Sequence, residues 1–268
     1  MQNQLKVIGI LLFIVTLLTA ATNKLLDNYL FKVPANFPKP SYAFTNNPIT
    51  KEGFELGRKL FYDPILSSDN IISCGFCHNQ PAAFTHHGHD LSHGIEDRLG
   101  KRNAPPIQNL AWTNRFMWDG GVFDLDLQPI VPITSPDEMG ETLPSVLKKL
   151  NASKDYPILF KNAFGVSTIT TDYLMKALSQ FMNGLVSSNS KYDQVIRQEG
   201  AVFTEEEAAG YKVFKSYCAS CHQEPLFTNN QFANNGMPMN QNDLGRYEIT
   251  LLQEDKYLFK IPSLRNIM

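Results

Sequence analysis

The sequence contains little cysteine and no excess of charge of either sign. Its 268 residues include four cysteines and two tryptophans, and 24 basic against 26 acidic residues give a formal net charge of -2. A chain that is neither short nor rich in cysteine is not a small disulfide-stabilised domain. The lack of a basic stripe argues against nucleic acid as a partner. Near-neutral net charge is still compatible with a local charged patch that docks a redox protein.

All four cysteines lie in two copies of one short string. The copies at 74–78 (CGFCH) and 218–222 (CASCH) both follow the pattern Cys-x-x-Cys-His. This pattern is typical of c-type haem attachment, because two thiols one helical turn apart bond to the vinyl groups of haem and the adjacent imidazole coordinates the iron. The predicted haem-binding residues are Cys74, Cys77, His78, Cys218, Cys221 and His222.

Three other interpretations of the cysteines are weaker. Paired Cys-x-x-Cys strings of zinc ribbons usually lie within about 20 residues of each other, and zinc gives no reason for a histidine after each copy. Structural disulfides suit short, cysteine-dense secreted domains. A thioredoxin-like redox motif needs a βαβ setting, and strand patterns are weak around both copies. Haem attachment is therefore the leading interpretation.

The N-terminus has the layout of a secretory signal peptide. Lys6 precedes an apolar run at 7–18 (VIGILLFIVTLL), and small residues follow at 19–22. Residues 1–22 are therefore predicted to be a signal peptide. The run is short for a membrane-spanning helix, which leaves an uncleaved anchor as the alternative. Because c-type haem is attached outside the cytoplasm in bacteria, and exported free thiols tend to oxidise, the two patterns together predict the periplasm.

The rest of the chain predicts an all-α fold with long loops. A proline-rich linker at 23–49 precedes a helix that begins after Thr50 and ends before Pro64. A capping box at 204–207 opens a similar helix before the second haem string. The segments 57–61 (GRKLF) and 210–214 (GYKVF) align, so the chain resembles an internal duplication of one helical module.

Further helices are predicted between the two haem strings. Apolar spacing indicates one helix that begins at Thr142, one at 155–164 that ends at Gly165, and one at 172–186. Met175 and Met182 in the last of these are predicted to fill the core rather than to bind haem. Two cytochrome c-like helical haem domains are expected, at 50–195 and 196–268.

A histidine-rich loop follows the first haem string. Four of the six histidines, His86, His87, His89 and His93, fall within eight positions. Such a tract can bind surface metal or simply be solvated, and beside a haem one of its imidazoles could reach the iron as a sixth ligand. Spacing alone does not choose among them.

Several motifs together resemble the bacterial dihaem cytochrome c peroxidases. They are the two haem strings with their preceding helices and the segments at 100–109 (GKRNAPPIQN), 116–120 (FMWDG), 136–140 (PDEMG) and 259–266 (FKIPSLRN). The resemblance extends from about Phe54 to the end of the chain. The same scaffold also serves the dihaem enzyme that matures a tryptophan-derived quinone.

The resemblance implies a role for each haem and for several other residues. The haem at 74–78 is implied to bind peroxide in an N-terminal peroxidatic domain, and the haem at 218–222 to accept electrons from a small donor protein. Trp118 matches the tryptophan between the haems, Glu138 the distal carboxylate and Gln128 a polar neighbour. His93 matches a distal histidine that leaves the iron on activation. Asn103 matches a residue near a calcium ion at the domain junction.

A distal carboxylate also has a physical rationale. Heterolytic cleavage of peroxide requires a proton to move from one oxygen to the other, and a positioned carboxylate can accept that proton and return it. Glu138 is the predicted shuttle. Without the resemblance, Glu138 would be interpreted as a surface residue in a Pro-Asp-Glu turn.

The family's pattern continues beyond the last motif of this sequence. Because the sequence ends at Met268, three residues after Arg265, we expect a C-terminally truncated chain with an incomplete second domain. The family's sixth ligand for the second haem is then missing, with Met237 or Met239 as the available substitutes.

These patterns predict an enzyme, a periplasmic dihaem peroxidase. It is expected to reduce hydrogen peroxide to water with electrons from a monohaem cytochrome c or a small copper protein. The alternatives are a dihaem oxidase of a protein or organic substrate and a dihaem electron carrier without substrate chemistry. The family also implies a homodimer.

Overall fold

The computed structural model describes residues 31–238 and 240–267, and the regular secondary structure of this part of the chain is almost entirely helical. The predicted signal peptide, the first residues of the predicted linker and Met239 lie outside the described residues. Two short strands, β1 (Phe232–Ala233) and β2 (Phe259–Lys260), pair antiparallel. The helices are α1 (Lys51–Tyr62), α2 (Cys74–Cys77), α3 (Ile130–Thr134), α4 (Leu143–Ala152), α5 (Tyr156–Phe164), α6 (Thr171–Gly184), α7 (Lys191–Ile196), α8 (Glu205–Tyr217) and α9 (Tyr247–Thr250). The all-α prediction is confirmed.

Helix α1 begins and ends where its sequence predicts. The Thr50 hydroxyl accepts the backbone N–H of Gly53 at 3.0 Å, which satisfies one of the free donors of the first turn. The helix ends at Tyr62, before Pro64. Its apolar residues share one face at helical spacing. The buried residues of α1 are Gly53, Leu56, Gly57, Leu60 and Phe61.

Helices α1 and α6 pack closely and form the centre of the larger hydrophobic core. Phe61 stacks against Phe181 with ring centroids 5.0 Å apart. A Cβ atom at Gly57 would lie 2.0 Å from the carbonyl oxygen of Ala177, so only glycine permits this approach. Met175 and Met182 of α6 are buried in the same core, as the sequence predicts.

Helix α8, which precedes the second haem string, is packed differently. Thr204 and Glu207 form the predicted capping box, with the two hydrogen bonds at 3.2 and 2.8 Å. None of the residues of α8 is buried, and Tyr217 is 81% exposed. Gly210, the counterpart of Gly57, has no atom within 4 Å of the position of a Cβ. The predicted similarity of the two helices therefore extends to their caps but not to their packing.

The described part of the predicted linker packs against the rest of the chain. Phe37 is buried against Trp112 with ring centroids 5.0 Å apart. The Trp112 indole N–H donates to the Pro38 carbonyl at 2.7 Å, and the Tyr42 N–H donates to the Ala111 carbonyl at 3.0 Å. Residues 31–49 contain no helix or strand, yet they cover a second, smaller cluster of buried side chains.

One buried ion pair connects α7 to the C-terminal segment. The Arg265 guanidinium donates two hydrogen bonds of 2.8 Å to the Asp193 carboxylate, and the exposed fractions of the two side chains are 4% and 0%. Burial alone would raise the pKa of Asp193. Hydrogen bonds from Arg265, Asn36 and Ser190 outweigh this and hold the pKa below its usual range.

Within the described residues, no helix has the length and apolar character needed to cross a membrane.

Candidate active site

A cavity of about 240 Å³ lies beside the first haem string. Its wall is largely apolar and includes Ile72, Ile107 and Leu178. The structure brings six of the predicted site residues together on this wall: Cys74, Cys77, His78, Trp118, Gln128 and Glu138. These residues span more than 60 positions of the sequence, and only the tertiary fold places them around one space.

The first haem string forms one turn of helix with its imidazole directly after it. The turn is α2, and His78 follows as its C-cap. The His78 Nδ1 atom lies 2.8 Å from the Phe84 carbonyl oxygen. Because a carbonyl only accepts, the geometry assigns the ring N–H to Nδ1 and leaves the Nε2 lone pair available for a metal. Burial lowers the pKa of His78, which favours this neutral form.

The two thiols of this string are held in a low-dielectric site. Burial is the main cause that raises the pKa of Cys74 to about 12, and the neighbouring Cys77 adds to the effect. Burial likewise raises the pKa of Cys77 to about 11, with a smaller effect from the charge of Glu138. Two thiols and a neutral imidazole on the wall of an apolar cavity fit the requirements of a covalently attached haem c.

Glu138 lies in the turn after α3, half-buried in the cavity wall. Its backbone carbonyl accepts the Ile95 N–H at 2.8 Å. Gly94 lies so close that a Cβ there would be 2.4 Å from the Glu138 carbonyl oxygen. Burial, and then the charge of Asp137, raise the pKa of the Glu138 carboxyl group. A carboxyl group with a raised pKa holds a proton more readily near neutral pH and can exchange it with a bound oxygen species.

Gln128 also reaches the first cavity, and its amide lies 3.6 Å from the Met117 sulfur. A thioether is a weak acceptor, so the amide remains able to bind a stronger acceptor such as an oxygen.

The second haem string lines a separate cavity of about 640 Å³. Cys221 and His222 lie on its wall, whereas Cys218 is the C-cap of α8. The His222 Nδ1 atom lies 3.2 Å from the Phe227 carbonyl oxygen and 3.1 Å from that of Pro262. The two histidines therefore share one arrangement, in which Nδ1 faces carbonyl oxygens and Nε2 is left for a metal.

Trp118 lies between the two cavities and lines both. Its indole N–H donates to the Asn103 carbonyl at 2.8 Å, and its own carbonyl accepts the Lys260 N–H at 2.7 Å. The tryptophan is thus attached to the first module through its side chain and to the second through its backbone. The location of Trp118 agrees with the prediction that it lies between the haems.

The structure places His93 outside the lining of the first cavity. Its Nδ1 lies 2.5 Å from the Asp97 carboxylate, and its ring centroid lies 4.6 Å from that of His89. The ring of His86 lies 4.6 Å from His89 on the other side. Among the described residues, no group of three or more histidine, cysteine or acidic side chains is arranged to hold a metal ion. The His93 carbonyl accepts the Cys77 thiol at 3.4 Å, so the backbone of His93 lies against the first haem string, and its role as a distal ligand stays a prediction.

Asn103 holds the histidine-rich loop in place. Its amide nitrogen donates to the carbonyls of His86 and His89, and its amide oxygen accepts the His86 N–H at 3.2 Å. Calcium prefers six to eight oxygen ligands. The Asn103 amide oxygen keeps a second lone pair, but it is only one ligand of such a set, so calcium near Asn103 stays a prediction.

Met237 is 65% exposed and is not part of the lining of the second cavity. Met239, the other predicted substitute ligand, lies outside the described residues.

Two cations on the wall of the second cavity have no role in the sequence-based prediction. Arg102 forms a two-pronged ion pair with Asp243 at 2.7 and 2.8 Å, and a further pair with Asp119. Lys260 lines the second cavity from strand β2. Both residues fall inside motifs that carry the family resemblance, but Asp243 lies 141 positions from Arg102, and the Arg115 carbonyl that Lys260 contacts lies 145 positions away.

Comparison with known proteins identifies the class to which this fold and site belong. Residues 51–201 match the family described as di-haem cytochrome c peroxidase. The chain is 34% identical over 248 residues to the methylamine utilization protein MauG of Methylorubrum extorquens, covering 88% of this chain and 67% of that protein. It is 34% identical over 239 residues to the cytochrome c551 peroxidase of Nitrosomonas europaea, covering 87% and 71%.

A solved structure shows the same fold. The crystal structure of a MauG-like protein associated with microbial copper homeostasis superimposes with a TM-score of 0.79 at 30% identity, covering 88% of this chain and 75% of that one. The chain therefore belongs to the di-haem cytochrome c peroxidase family. Membership confirms the resemblance predicted from the motifs and the expectation of an oxidoreductase that acts on peroxide. It also implies two haem c groups for the chain.

Proposed function

We propose that this protein reduces hydrogen peroxide to water in the first cavity, with electrons that enter through the second. The observation that carries the proposal is the shared lining of the two cavities. Glu138 and Gln128 lie on the wall that also holds the first haem string, and Trp118 lines both spaces. Reduction consumes two electrons and two protons for each peroxide and yields two waters.

Haem c, attached at the two strings, would supply the redox chemistry. Cys74 and Cys77 would form the thioether bonds in the first cavity, and His78 would present Nε2 to the iron. Cys218, Cys221 and His222 would hold the second haem in the same way. The first group lies in the proposed peroxidatic domain at 50–195, and the second in the proposed electron-accepting domain at 196–268.

The Glu138 carboxyl group would move the proton that heterolytic cleavage requires. In its carboxylate form it accepts a proton from the oxygen that is retained, and it then donates that proton to the oxygen that leaves as water. Burial raises the pKa of Glu138, which makes the protonated form easier to reach than for an exposed carboxyl group. The Gln128 amide can donate a hydrogen bond to either oxygen and so orient the peroxide.

Trp118 would lie on the path of the electrons between the two cavities. Its contacts with Asn103 and Lys260 fix the ring with respect to both modules.

The partners and the compartment are also part of the proposal. A monohaem cytochrome c or a small copper protein is the proposed donor, and the proposed compartment is the periplasm. The calcium ion near Asn103, the homodimer and the distal role of His93 stay predictions from the family resemblance.

A second candidate function is the oxidation of a protein or organic substrate. One observation favours it: the chain is as similar to a methylamine utilization protein as to a cytochrome c551 peroxidase. A pure electron carrier is the third candidate, and it needs both iron sites permanently filled by protein ligands.

The test is stopped-flow mixing of the half-reduced holoprotein with peroxide. We expect a spectral change at the first haem and peroxide-dependent oxidation of a reduced donor protein. Glu138→Gln should lower turnover by about a hundredfold or more while haem content stays intact. Glu206→Gln is the matched control, because it makes the same change at an exposed carboxyl group that does not line the cavity. The absence of any spectral change and of donor oxidation would rule out the peroxidase function.

A further inference from the structure

Three cationic side chains line the second cavity: Lys101, Arg102 and Lys260. Two of them have carboxylate partners within the chain. Arg102 is bonded to Asp243 and Asp119, and these hydrogen bonds outweigh the effect of burial and raise its pKa. Lys101 lies 3.2 Å from the Glu248 carboxylate and is 68% exposed.

Lys260 differs from the other two. Its ammonium group donates to the Arg115 carbonyl at 3.0 Å. An ammonium has three donors, so this contact satisfies only one of them. Among the residues that the structure describes, no carboxylate lies within 4 Å of the Lys260 nitrogen. Burial lowers the pKa of Lys260 to about 8, with no neighbouring charge that opposes the shift.

Backbone hydrogen bonds hold Lys260 in its place beside the second cavity. Its N–H donates to the Trp118 carbonyl at 2.7 Å, and strand β2 pairs it with Phe232. The backbone of Lys260 is therefore fixed on the wall of the second cavity, beside Trp118. A cofactor in the second cavity would remove water from this wall and leave a cation with two unsatisfied donors. Buried charges in proteins are paired, because an unpaired one costs several kcal/mol or shifts its pKa until it is neutral.

We propose that the Lys260 ammonium binds a carboxylate of the porphyrin that is attached at the second haem string. The inference rests on the proposed haem at Cys218 and Cys221. The porphyrin of haem c carries two carboxylates of its own, so the occupant of the cavity itself provides an anion for Lys260, which has no carboxylate partner in the described part of the chain. Arg102 and Lys101 are already paired with aspartate and glutamate side chains, which leaves Lys260 as the cation suited to this role.

The proposed contact also has a consequence for the second haem. A positive charge near an iron centre disfavours the ferric state, which carries one more positive charge than the ferrous state. Lys260 would therefore help to raise the midpoint potential of the second haem and favour its role as the electron acceptor.

The test compares the midpoint potential of the second haem in the holoprotein and in three variants. Lys260→Met removes the charge and should lower the equilibrium constant for reduction about tenfold, which is 59 mV for one electron. Lys260→Arg keeps the charge and should leave the potential near that of the wild type. Lys101→Met is the matched control, because it removes an exposed cation of the same wall that already has a partner. An unchanged potential in Lys260→Met would overturn the inference.

A second readout identifies the anion. Infrared difference spectra of the ferric and ferrous protein are recorded with haem labelled by ¹³C in its carboxylates. We expect the labelled band to move in Lys260→Met, and also in Lys260→Arg, because a guanidinium binds a carboxylate through two N–H groups. A labelled band that stays in place in both variants, or a wild-type potential that varies with chloride or phosphate concentration, would show that the haem carboxylate is not the partner.

Covalent haem is counted in every sample before these measurements. A chain without haem at Cys218 and Cys221 would overturn the proposed function and this inference together. Full haem content with an unmoved potential and an unmoved band would overturn only the contact with Lys260.

Discussion

The two haem modules carry the same attachment string behind the same kind of helix, but they are stabilised in different ways. Helix α1 buries five of its residues against α6 and the first core, whereas α8 buries none. Gly57 permits a close backbone approach in the first module, and its counterpart Gly210 has open space around it. The repeat in the sequence therefore specifies the helix and the chemistry of attachment, but not the packing partner of the helix.

This difference indicates that the stability of the second module depends on a few polar contacts. Its own buried apolar residues are few, with Leu226 and Ile261 among them. The Arg265 guanidinium connects it to the first module through Asp193, and within the second module it also donates to the carbonyl of Pro225. Arg265 also lies over the ring of Phe37, at 4.8 Å from its centroid. We expect the two modules to unfold in separate steps when these contacts are removed.

The largest expected effect is that of Arg265→Met. Removal of one partner of a buried ion pair costs about 3–5 kcal/mol, because Asp193 is left as an uncompensated buried charge. Urea unfolding followed by circular dichroism and haem absorbance should show an early transition of the second module. Arg98→Met is the control: it removes an exposed pair with Glu96 and should cost only about 0–1 kcal/mol. A single unchanged transition in Arg265→Met would contradict the polar connection between the modules.

Acid should weaken the same contact to a smaller extent. The pKa of Asp193 is held below its usual range in the folded chain, so its contribution to stability is complete above the unfolded pKa of about 3.9. The contribution is lost as the pH falls through the lower folded pKa, because the unfolded state then binds more protons. The loss is smaller than in Arg265→Met, because protonated Asp193 still accepts hydrogen bonds.

The measurement for this prediction is the free energy of unfolding between pH 2 and pH 6. Asp193→Asn should flatten its slope below about pH 4. Glu199→Gln is the comparison variant, since Glu199 is paired with Arg197 at the surface. If both variants kept the wild-type slope, acid sensitivity would arise elsewhere.

The two glycines give the most direct test of the comparison. Gly57→Ala should cost about 1–3 kcal/mol, because its Cβ would overlap the Ala177 carbonyl and force α1 and α6 apart. Gly210→Ala should stabilise α8 by up to about 1 kcal/mol, since alanine is the better helix former and meets no neighbour. Urea midpoints of the two variants, measured side by side, should move in opposite directions. A shift of the same sign in both would mean that α8 is packed as closely as α1.

Much of the fold and part of the site were predictable because they depend on local patterns. Thr50 and Thr204 begin their helices as hydroxyl caps, and Gly165 ends α5 in a left-handed conformation. The attachment strings require only two thiols and an imidazole in sequence. Glu138 and Trp118 were placed by family motifs, and the structure brings both to the first cavity.

The remaining features depend on contacts between distant segments. Arg102 bonds to Asp243 across 141 positions, so neither residue shows this role in its local sequence. The burial of α1 and the exposure of α8 likewise depend on which other elements pack against them. The position of His93 follows from contacts within a loop of four histidines, whose spacing does not distinguish one ring from another.

The smallest expected effect concerns the two N-caps, where the modules should behave alike. Thr204→Ala removes the hydroxyl that accepts the Glu207 N–H and should cost about 1 kcal/mol. Thr50→Ala should cost a similar amount through the loss of its own cap bond, and the loss of the 3.3 Å hydrogen bond from its hydroxyl to the Gln180 side-chain oxygen of α6 adds to that cost. Hydrogen exchange should distinguish the two variants. In Thr204→Ala, the amides of α8 should exchange about fivefold faster, whereas exchange in α1 should be unchanged. Faster exchange of α1 in Thr204→Ala would mean that the two modules open as one cooperative unit. Their unequal packing would then not make them open independently.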